Sequence, residues 1–426
     1  MHVFHLLADS GLKENLGVIS QSFDLGDVLV VSPGQDILSS FDNILDRQLN
    51  QKRESKKEME ELRMCFKKLC ADEEFQTEVD STLDRVNNTL HQAMSLTFRD
   101  NSLIYYVKAY IVNLCARCAG FFIKDSEVVD GRMSILCESN NGIPVVDWKL
   151  TQEAVLSLPR QKRLIVGGAY GRKVSGETVD LGKRGSELTA NIIGAVFNAA
   201  SVRFYVAGFT YSESASLTYE EAAQRFSGGE PVYPPSMLPA KKAGLKLEVA
   251  DTQSGKTILT IASVPDEQIS KGITGVVVSD PMSLFTVYGT GLLGSIGISS
   301  AIFGILAKNG INIHFISQSL SEYSISFAVK RTREAAATKA IHSLIDDTCQ
   351  ANFNDLSFST VPVEIVSVFG QGMRNVPGIS GKVYSALGNA GVNVIASSQG
   401  GEELSISIVV AEADAPKAAE ALFKIK

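Results

Sequence analysis

The first clear rhythm along the chain is an apolar run, Asp27-Val-Leu-Val-Val-Ser32, closed by Pro33-Gly34. That pattern predicts a buried strand followed by a turn. From Asp36 to about Leu96 the spacing becomes helical, rich in Glu, Lys, Leu and Gln and poor in strand formers. Charges of both signs interleave from Lys52 to Lys68, which reads as a solvated helix face rather than a nucleic-acid arm. A further helix is predicted over Ser102–Ala119, then strand-like runs at Gly120–Lys124 and Arg163–Val166, the second followed by Gly167-Gly168. Leu181-Gly-Lys-Arg-Gly-Ser-Glu-Leu-Thr-Ala190 leads into an apolar helix, Ala190–Ala200, and a strand, Val202–Val206. Four of the twelve prolines fall between Gly228 and Pro239, so that stretch is predicted to be loop or turn. Strands alternating with helices predict an α/β region with a mostly parallel sheet sandwiched by helices.

The last third repeats itself at a constant offset of 81 residues. Gly289, Gly291 and Gly297 match Gly370, Gly372 and Gly378, and Ser299 and Leu306 match Ser380 and Leu387. Gly310, Asn312, Gln318 and Glu322 match Gly391, Asn393, Gln399 and Glu403, and Ser324-Ile-Ser326 matches Ser405-Ile-Ser407. One register held over so many positions marks a duplicated domain.

In the first copy the pattern gives strand Ser283–Tyr288, a Gly-rich loop and a helix carrying Ile302, Ile305 and Leu306. Strands Ile311–Ile316 and Tyr323–Val329, helix Glu334–Ile345 and strand Leu356–Val361 complete it. The order β-α-β-β-α-β is the ferredoxin-like plan. The second copy supplies five elements: Val363–Phe369, a helix from Ser380, Val392–Ala396, Leu404–Val410 and a helix from Ala415. Its sheet would keep an open edge, and Gly275-Val-Val-Val278 is an apolar strand with no other obvious place. The expectation is a discontinuous second domain that borrows residues 273–278.

Composition narrows the function. At 426 residues and 45% hydrophobic content the chain can bury several cores. A net charge of −7 argues against a nucleic-acid partner. No apolar stretch is long enough to span a bilayer, and Met1–Ser10 lacks the look of a signal peptide, so no membrane and a cytoplasmic setting are expected. The six cysteines form no disulfide framework, Cys115 and Cys118 read as buried helical thiols, and the five histidines form no metal-spaced cluster.

The repeat resembles the paired ACT domains of aspartokinases, closest to those of bifunctional aspartokinase–homoserine dehydrogenases. The likeness is carried by Gly-Thr-Gly-Leu-Leu-Gly-Ser-Ile-Gly at 289–297, Gly-Ile-Asn-Ile at 310–313 and Ile-Ser-Gln-Ser-Leu-Ser-Glu-Tyr-Ser-Ile-Ser at 316–326. Phe-Gly-Gln-Gly-Met-Arg-Asn-Val-Pro-Gly-Ile-Ser at 369–380 is as specific. The resemblance implies an amino-acid-kinase-like domain at 1–270, a first ACT domain at 283–361 and a second at 363–426. No dehydrogenase domain is expected to follow.

Upstream, the family's motifs are degraded. Its Lys-Phe-Gly-Gly-Thr-Ser phosphate loop falls on His5-Leu-Leu-Ala-Asp-Ser10, where only Ser10 survives. Its Gly-Glu pair falls at about Asp100-Asn101, and its Gly-Arg-Gly-Gly-Ser-Asp run on Gly182–Glu187, keeping Ser186 and an acid, Glu187. Its Thr-Asp-Val-Asp-Gly segment falls on Tyr205–Phe209 without acids, and its Lys-Val-Leu-His-Pro run on Pro231–Pro235 without lysine or histidine. Ser10, Asp100, Asn101, Ser186 and Glu187 are therefore residual catalytic candidates, and no cofactor is expected to bind tightly. Phosphoryl transfer depends on electrostatic clamping of the phosphates.

The resemblance thus implies a protein of lysine, threonine and methionine biosynthesis, sensing an amino acid through its ACT pair, with weak or absent kinase activity. The alternative is an active ATP:L-aspartate 4-phosphotransferase with a divergent site, which would bind ATP and Mg. The effector, threonine or lysine, is expected at Leu292, Ser295, Ile298, Ile313, His314, Gln318, Ser321 and Glu322. His314 stands where some lysine-sensing relatives carry an acid, which favours threonine. ACT units in resembling proteins pair side by side, so a homodimer, or a mixed oligomer with an active aspartokinase, is expected.

Overall fold

The computed structural model describes residues 1–9, 11–94, 101–140, 143–209, 216–226, 229–263, 272–292, 297–321, 323–352 and 355–425. The chain forms two compact units, Met1–Asp266 and Glu267–Lys426.

The first unit contains strands β1 (Val3–Ala8), β2 (Val28–Pro33), β3 (Ser126–Val129), β4 (Leu136–Asn140), β5 (Ile143–Val146) and β6 (Arg163–Gly167). Then come β7 (Tyr170–Lys173), β8 (Thr178–Asp180), β9 (Val202–Val206), β10 (Ser216–Thr218), β11 (Leu247–Asp251) and β12 (Thr257–Ala262). Its helices are α1 (Leu12–Ser20), α2 (Gln35–Leu45), α3 (Lys56–Leu69), α4 (Glu73–Met94) and α5 (Asn101–Phe122). They continue with α6 (Gly131–Ser134), α7 (Trp148–Leu156), α8 (Gly185–Phe197), α9 (Tyr219–Arg225) and α10 (Leu238–Lys242).

Among the described residues, eight strands form one sheet in the order β10-β12-β11-β9-β1-β2-β6-β3. Every pairing in it is parallel except β11 with β12. All six residues of β2 are buried, as a strand covered on both faces requires. Two cores sandwich the sheet. One gathers α1 to α5, with α4 contributing Phe75, Val79, Leu83, Val86 and Leu90 at helical spacing. The other holds Ile193 of α8, Ala222 of α9 and Ala240 of α10 against Val28, Val30 and Val202. Each fully buried Val, Leu, Ile or Phe among them contributes about 1.5–3 kcal/mol, offset by chain entropy. Cys115 and Cys118 lie buried in the first of these cores. A small second sheet, β5-β4-β7-β8, lies beside the large one in sequence and follows no pattern seen above.

Two sequence expectations need correction here. Gly120–Lys124 is not a strand: α5 runs on through Phe122, because Ala116, Ala119 and Ile123 keep facing the core. The strand is the next segment, Ser126–Val129. His5–Ala8 is not loop but the body of β1, a central strand whose neighbours are β2 and β9.

The second unit carries β13 (Gly275–Val278), β14 (Met282–Tyr288), α11 (Ile298–Lys308), β15 (Phe315–Gln318), β16 (Ser324–Lys330) and α12 (Glu334–Asn352). It continues with β17 (Ser357–Phe369), α13 (Ile379–Asn389), β18 (Ala396–Gln399), β19 (Ser405–Ala411) and α14 (Ala415–Phe423). The strands run β15-β16-β14-β17-β19-β18, with β13 also on β17. The predicted pair of strands around position 362 is one strand of 13 residues. Its first half pairs β14 and its second half pairs β19 on one side and β13 on the other. Pro362 is tolerated because β19 begins its pairing only at Val363, leaving that side of the strand unpaired. The return strand of the first copy starts at Phe315 rather than Ile311: Ile311 is buried as the chain leaves α11, and pairing with β16 begins four residues on. The equivalent strand of the second copy likewise begins at Ala396 rather than Val392. Each copy has its own helix-facing core.

Candidate functional site

A cleft of about 570 Å³ opens where β1, β2 and β9 end, against the N-terminus of α8. Ends of parallel strands are where open α/β sheets bind ligands. His5 points from β1 into this region, 4% exposed, and its Nε2 lies 2.9 Å from Ser186 Oγ. Burial, reinforced by the Arg184 charge, pulls its pKa down to about 3, so the ring is neutral.

Glu187, one residue beyond, is 1% exposed. Its carboxylate accepts hydrogen bonds from Tyr233 N at 2.8 Å and Ser236 Oγ at 3.1 Å, and Arg184 Nη1 stands 3.3 Å away. Burial outweighs these contacts and pushes its pKa up to about 7. Arg184 takes a left-handed conformation, φ 57°, just before α8, and also binds Glu230.

The cleft's own carboxylates occupy amides that a phosphate would need. Asp9 Oδ1 accepts from Gly11 N at 3.0 Å, at the start of α1, and Asp180 Oδ1 accepts from Gly182 N at 2.8 Å. Among the described residues, Asp9, Asp180, Glu187 and Glu230 line the cleft, against one lining cation, Arg184. This set of described residues fits nucleotide phosphates poorly. Carboxylates could hold a magnesium ion, but the buried imidazole carries no charge to clamp the phosphates themselves, and Arg184 is already paired with Glu187 and Glu230.

Of the residual catalytic candidates, Ser186 and Glu187 reach the cleft. Asn101 begins α5, exposed and not among the residues that line the cleft. Ser10 and Asp100 lie outside the described residues. Sequence reasoning missed Arg184, Asp180, Glu230, Tyr233 and Ser236. Arg184 was visible as the cation inside the Gly182–Gly185 run, whereas nothing in the Pro-rich stretch marks Glu230.

In the second unit the effector candidates divide. Leu292, 7% exposed, sits in the first copy's core, and Ile298 and Ile313 pack against it. His314, Gln318 and Ser321 are exposed along β15 and the turn after it. His314 Nε2 lies 3.5 Å from Asn312 Nδ2, and partial burial, with Lys330 nearby, lowers its pKa. Ser321 Oγ is 2.9 Å from Ser319 Oγ. Ser295 and Glu322 lie outside the described residues. The matching corner of the second copy is described: Asn375 N donates to Glu403 at 2.8 Å, and Ser380 Oγ donates to Gln399 at 3.4 Å.

A mostly parallel α/β unit with a cleft at its strand ends, joined to a duplicated ferredoxin-like unit, defines an ACT-domain protein. The ACT domain family profile matches residues 285–344 and 366–424. The aspartokinase of Bacillus sp. (strain MGA3) is 30% identical over 291 residues, 64% of this chain and 68% of that protein. The chain belongs to the aspartokinase family. The chloroplastic bifunctional aspartokinase/homoserine dehydrogenase 2 of Arabidopsis thaliana is 28% identical over 284 residues, 62% of this chain and 31% of that protein. The chain thus spans about a third of the bifunctional relatives it matches. In fold it is similar to E. coli aspartokinase III solved with lysine and aspartate, with TM-score 0.79, 17% identity, and coverage of 100% and 99% of the two chains. Clostridium acetobutylicum aspartate kinase gives TM-score 0.75 at 17% identity, covering 100% and 98%. No helix among the described residues is long and apolar enough to cross a membrane.

Proposed function

We propose that this chain serves aspartate-family amino-acid biosynthesis as an aspartokinase homologue with weak or absent kinase activity, sensing an amino acid through its ACT pair. In this reading residues 1–270 are the kinase-like domain, 283–361 the first ACT domain and 363–426 the second, with 273–278 borrowed, in a cytoplasmic setting. The observation that carries it is His5. The family's phosphate-binding lysine has given way to a buried, neutral ring committed to Ser186. Losing that charge alone removes on the order of 10² to 10⁴ in rate.

Titration with Mg-ATP, with and without aspartate, is expected to show no saturation below millimolar nucleotide, and hydroxylamine is expected to trap no aspartyl phosphate. A micromolar dissociation constant would overturn this and revive the active-kinase reading. That second reading draws its support from Arg184, Ser186 and Glu187 still meeting in a cleft of about 570 Å³.

The effector reading rests on the exposed polar edge of His314, Gln318 and Ser321, and on the glycine-rich sequence that precedes α11. Threonine is favoured over lysine because His314 offers no carboxylate to a lysine side chain. The site is proposed to form between copies in a homodimer or in a mixed oligomer with an active aspartokinase. Millimolar threonine is expected to raise the melting temperature of the wild type and not of Gln318→Ala, and light scattering to give at least a dimer. No shift with threonine or lysine removes the sensing claim; an unchanged shift in Gln318→Ala moves the site elsewhere; a monomer removes the shared site.

A further inference from the structure

We infer that the first unit carries a second small-molecule site, for a phosphoryl oxyanion, on the far side of α5 from the cleft already described. A separate cleft of about 320 Å³ lies between α4, α5 and the turn after β3. It shares the wall of α5 with the first cleft but no lining residue: Val112 lines one and Asn113 the other. Three guanidinium groups line it, Arg85 from α4, Arg117 from α5 and Arg132 from α6, the single helical turn after β3.

Their charges do not cancel. Arg117 Nε meets Glu78 at 2.7 Å, and Arg132 is held by Asp130 through contacts of 2.5–3.0 Å. Arg85 forms no ion pair with a carboxylate among the described residues; its guanidinium lies 5.7 Å from the centre of the Tyr110 ring and hydrogen-bonds the side chain of Tyr110. Among the described residues the cleft therefore carries one positive charge without a carboxylate partner. Its geometry is also prepared. Arg132 lies over both Tyr106 and Tyr110, at 5.5 and 5.4 Å, so its plane is fixed by two rings and a carboxylate. The two phenols share one hydrogen bond at 2.7 Å, which leaves one hydroxyl proton for another acceptor. Asn113, half-buried on the same wall, makes no side-chain hydrogen bond to a described residue.

Planar guanidinium forks, a phenol and an amide are donors matched to a tetrahedral oxyanion, and arginine binds phosphate in two-pronged fashion better than lysine does. A cationic ligand would meet the surplus charge, and an apolar one would leave the donors unpaired. Chemistry of this kind suits inorganic phosphate or the phosphate of a small metabolite equally.

Thermal unfolding of the full chain tests it, comparing inorganic phosphate with chloride at equal ionic strength. About 10 mM phosphate is expected to raise the melting temperature by about 3 °C over chloride. Arg85→Gln, at an exposed position, is expected to lose most of that rise and Arg85→Lys to keep about half of it. A glycerol phosphate arm separates the sources: a rise at lower concentration than with inorganic phosphate assigns the site to a phosphorylated metabolite, and the reverse order to free phosphate. No rise in the wild type, or the full rise retained in Arg85→Gln, overturns the inference.

Discussion

Alanine at Gly370 is expected to lower stability of the second unit by about 3 kcal/mol and to loosen β13 before anything else unfolds. A Cβ there would stand 2.4 Å from Gly272 O and 2.8 Å from Thr274 N, backbone atoms of the segment leading into β13. Backbone cannot swing aside as a long side chain can, so the strand itself must shift. Gly289, its counterpart 81 residues earlier, meets the same obstacle: its Cβ would lie 2.0 Å from Asp355 O, just before β17, and its φ of 141° already disfavours any side chain. Both glycines follow the first strand of their copy and abut the segment leading into its fourth. Gly381, inside α13 with nothing within 4 Å, is the control, and alanine there is expected to be neutral or stabilising by up to about 1 kcal/mol. Hydrogen exchange over 275–278, with thermal unfolding, reads the difference. A Gly370→Ala protein with unchanged protection there would refute the account.

The second large effect is a pair of opposed pH responses in the first unit. His5 holds its proton more weakly folded, at about 3, than its ordinary 6.5. Stability linked to it is complete above 6.5 and drains as pH falls, by on the order of 3 kcal/mol at pH 4. Glu187 behaves in the reverse sense, binding its proton more tightly folded, at about 7 against 4.5. Stability linked to it is complete below 4.5 and is lost as pH rises toward 7, by on the order of 3 kcal/mol. Between 4.5 and 6.5 the two slopes offset each other, so the wild type is expected to be nearly flat there. Denaturant titrations across pH should therefore separate the variants: His5→Gln loses stability as pH rises through that window, and Glu187→Gln gains it. Parallel curves for all three proteins would rule the pair out.

Periodicity and repetition made much of the fold legible. The apolar run before Pro33 became β2, and Val202–Val206 became β9 with the same ends. Short or irregular strands stayed hidden. β8 and β10 have three residues each, too few to show a period, and β1 was obscured because His5–Ala8 was aligned with a loop motif. Phe121, Phe122 and Ile123 look like strand residues, but tertiary packing kept the chain helical through Phe122. In the cleft, Ser186 and Glu187 were readable as motif remnants. Their actual partners, Tyr233 and Ser236, lie more than 40 positions away, and local sequence carries no trace of that pairing.

The strand order of the second unit has a consequence for synthesis. β13 leaves the ribosome first, yet its partner residues in β17, such as Phe369 opposite Gly275, follow about 90 residues later. At ordinary translation rates that is an interval of about 5–20 s, during which the whole first copy emerges while Val276 and its neighbours have no sheet to join. The first copy can close before the second, and the late-made half of β17 then recruits the oldest strand of the unit. A fragment begun after Val278 would lack that strand altogether and expose the free edge of β17 to other chains.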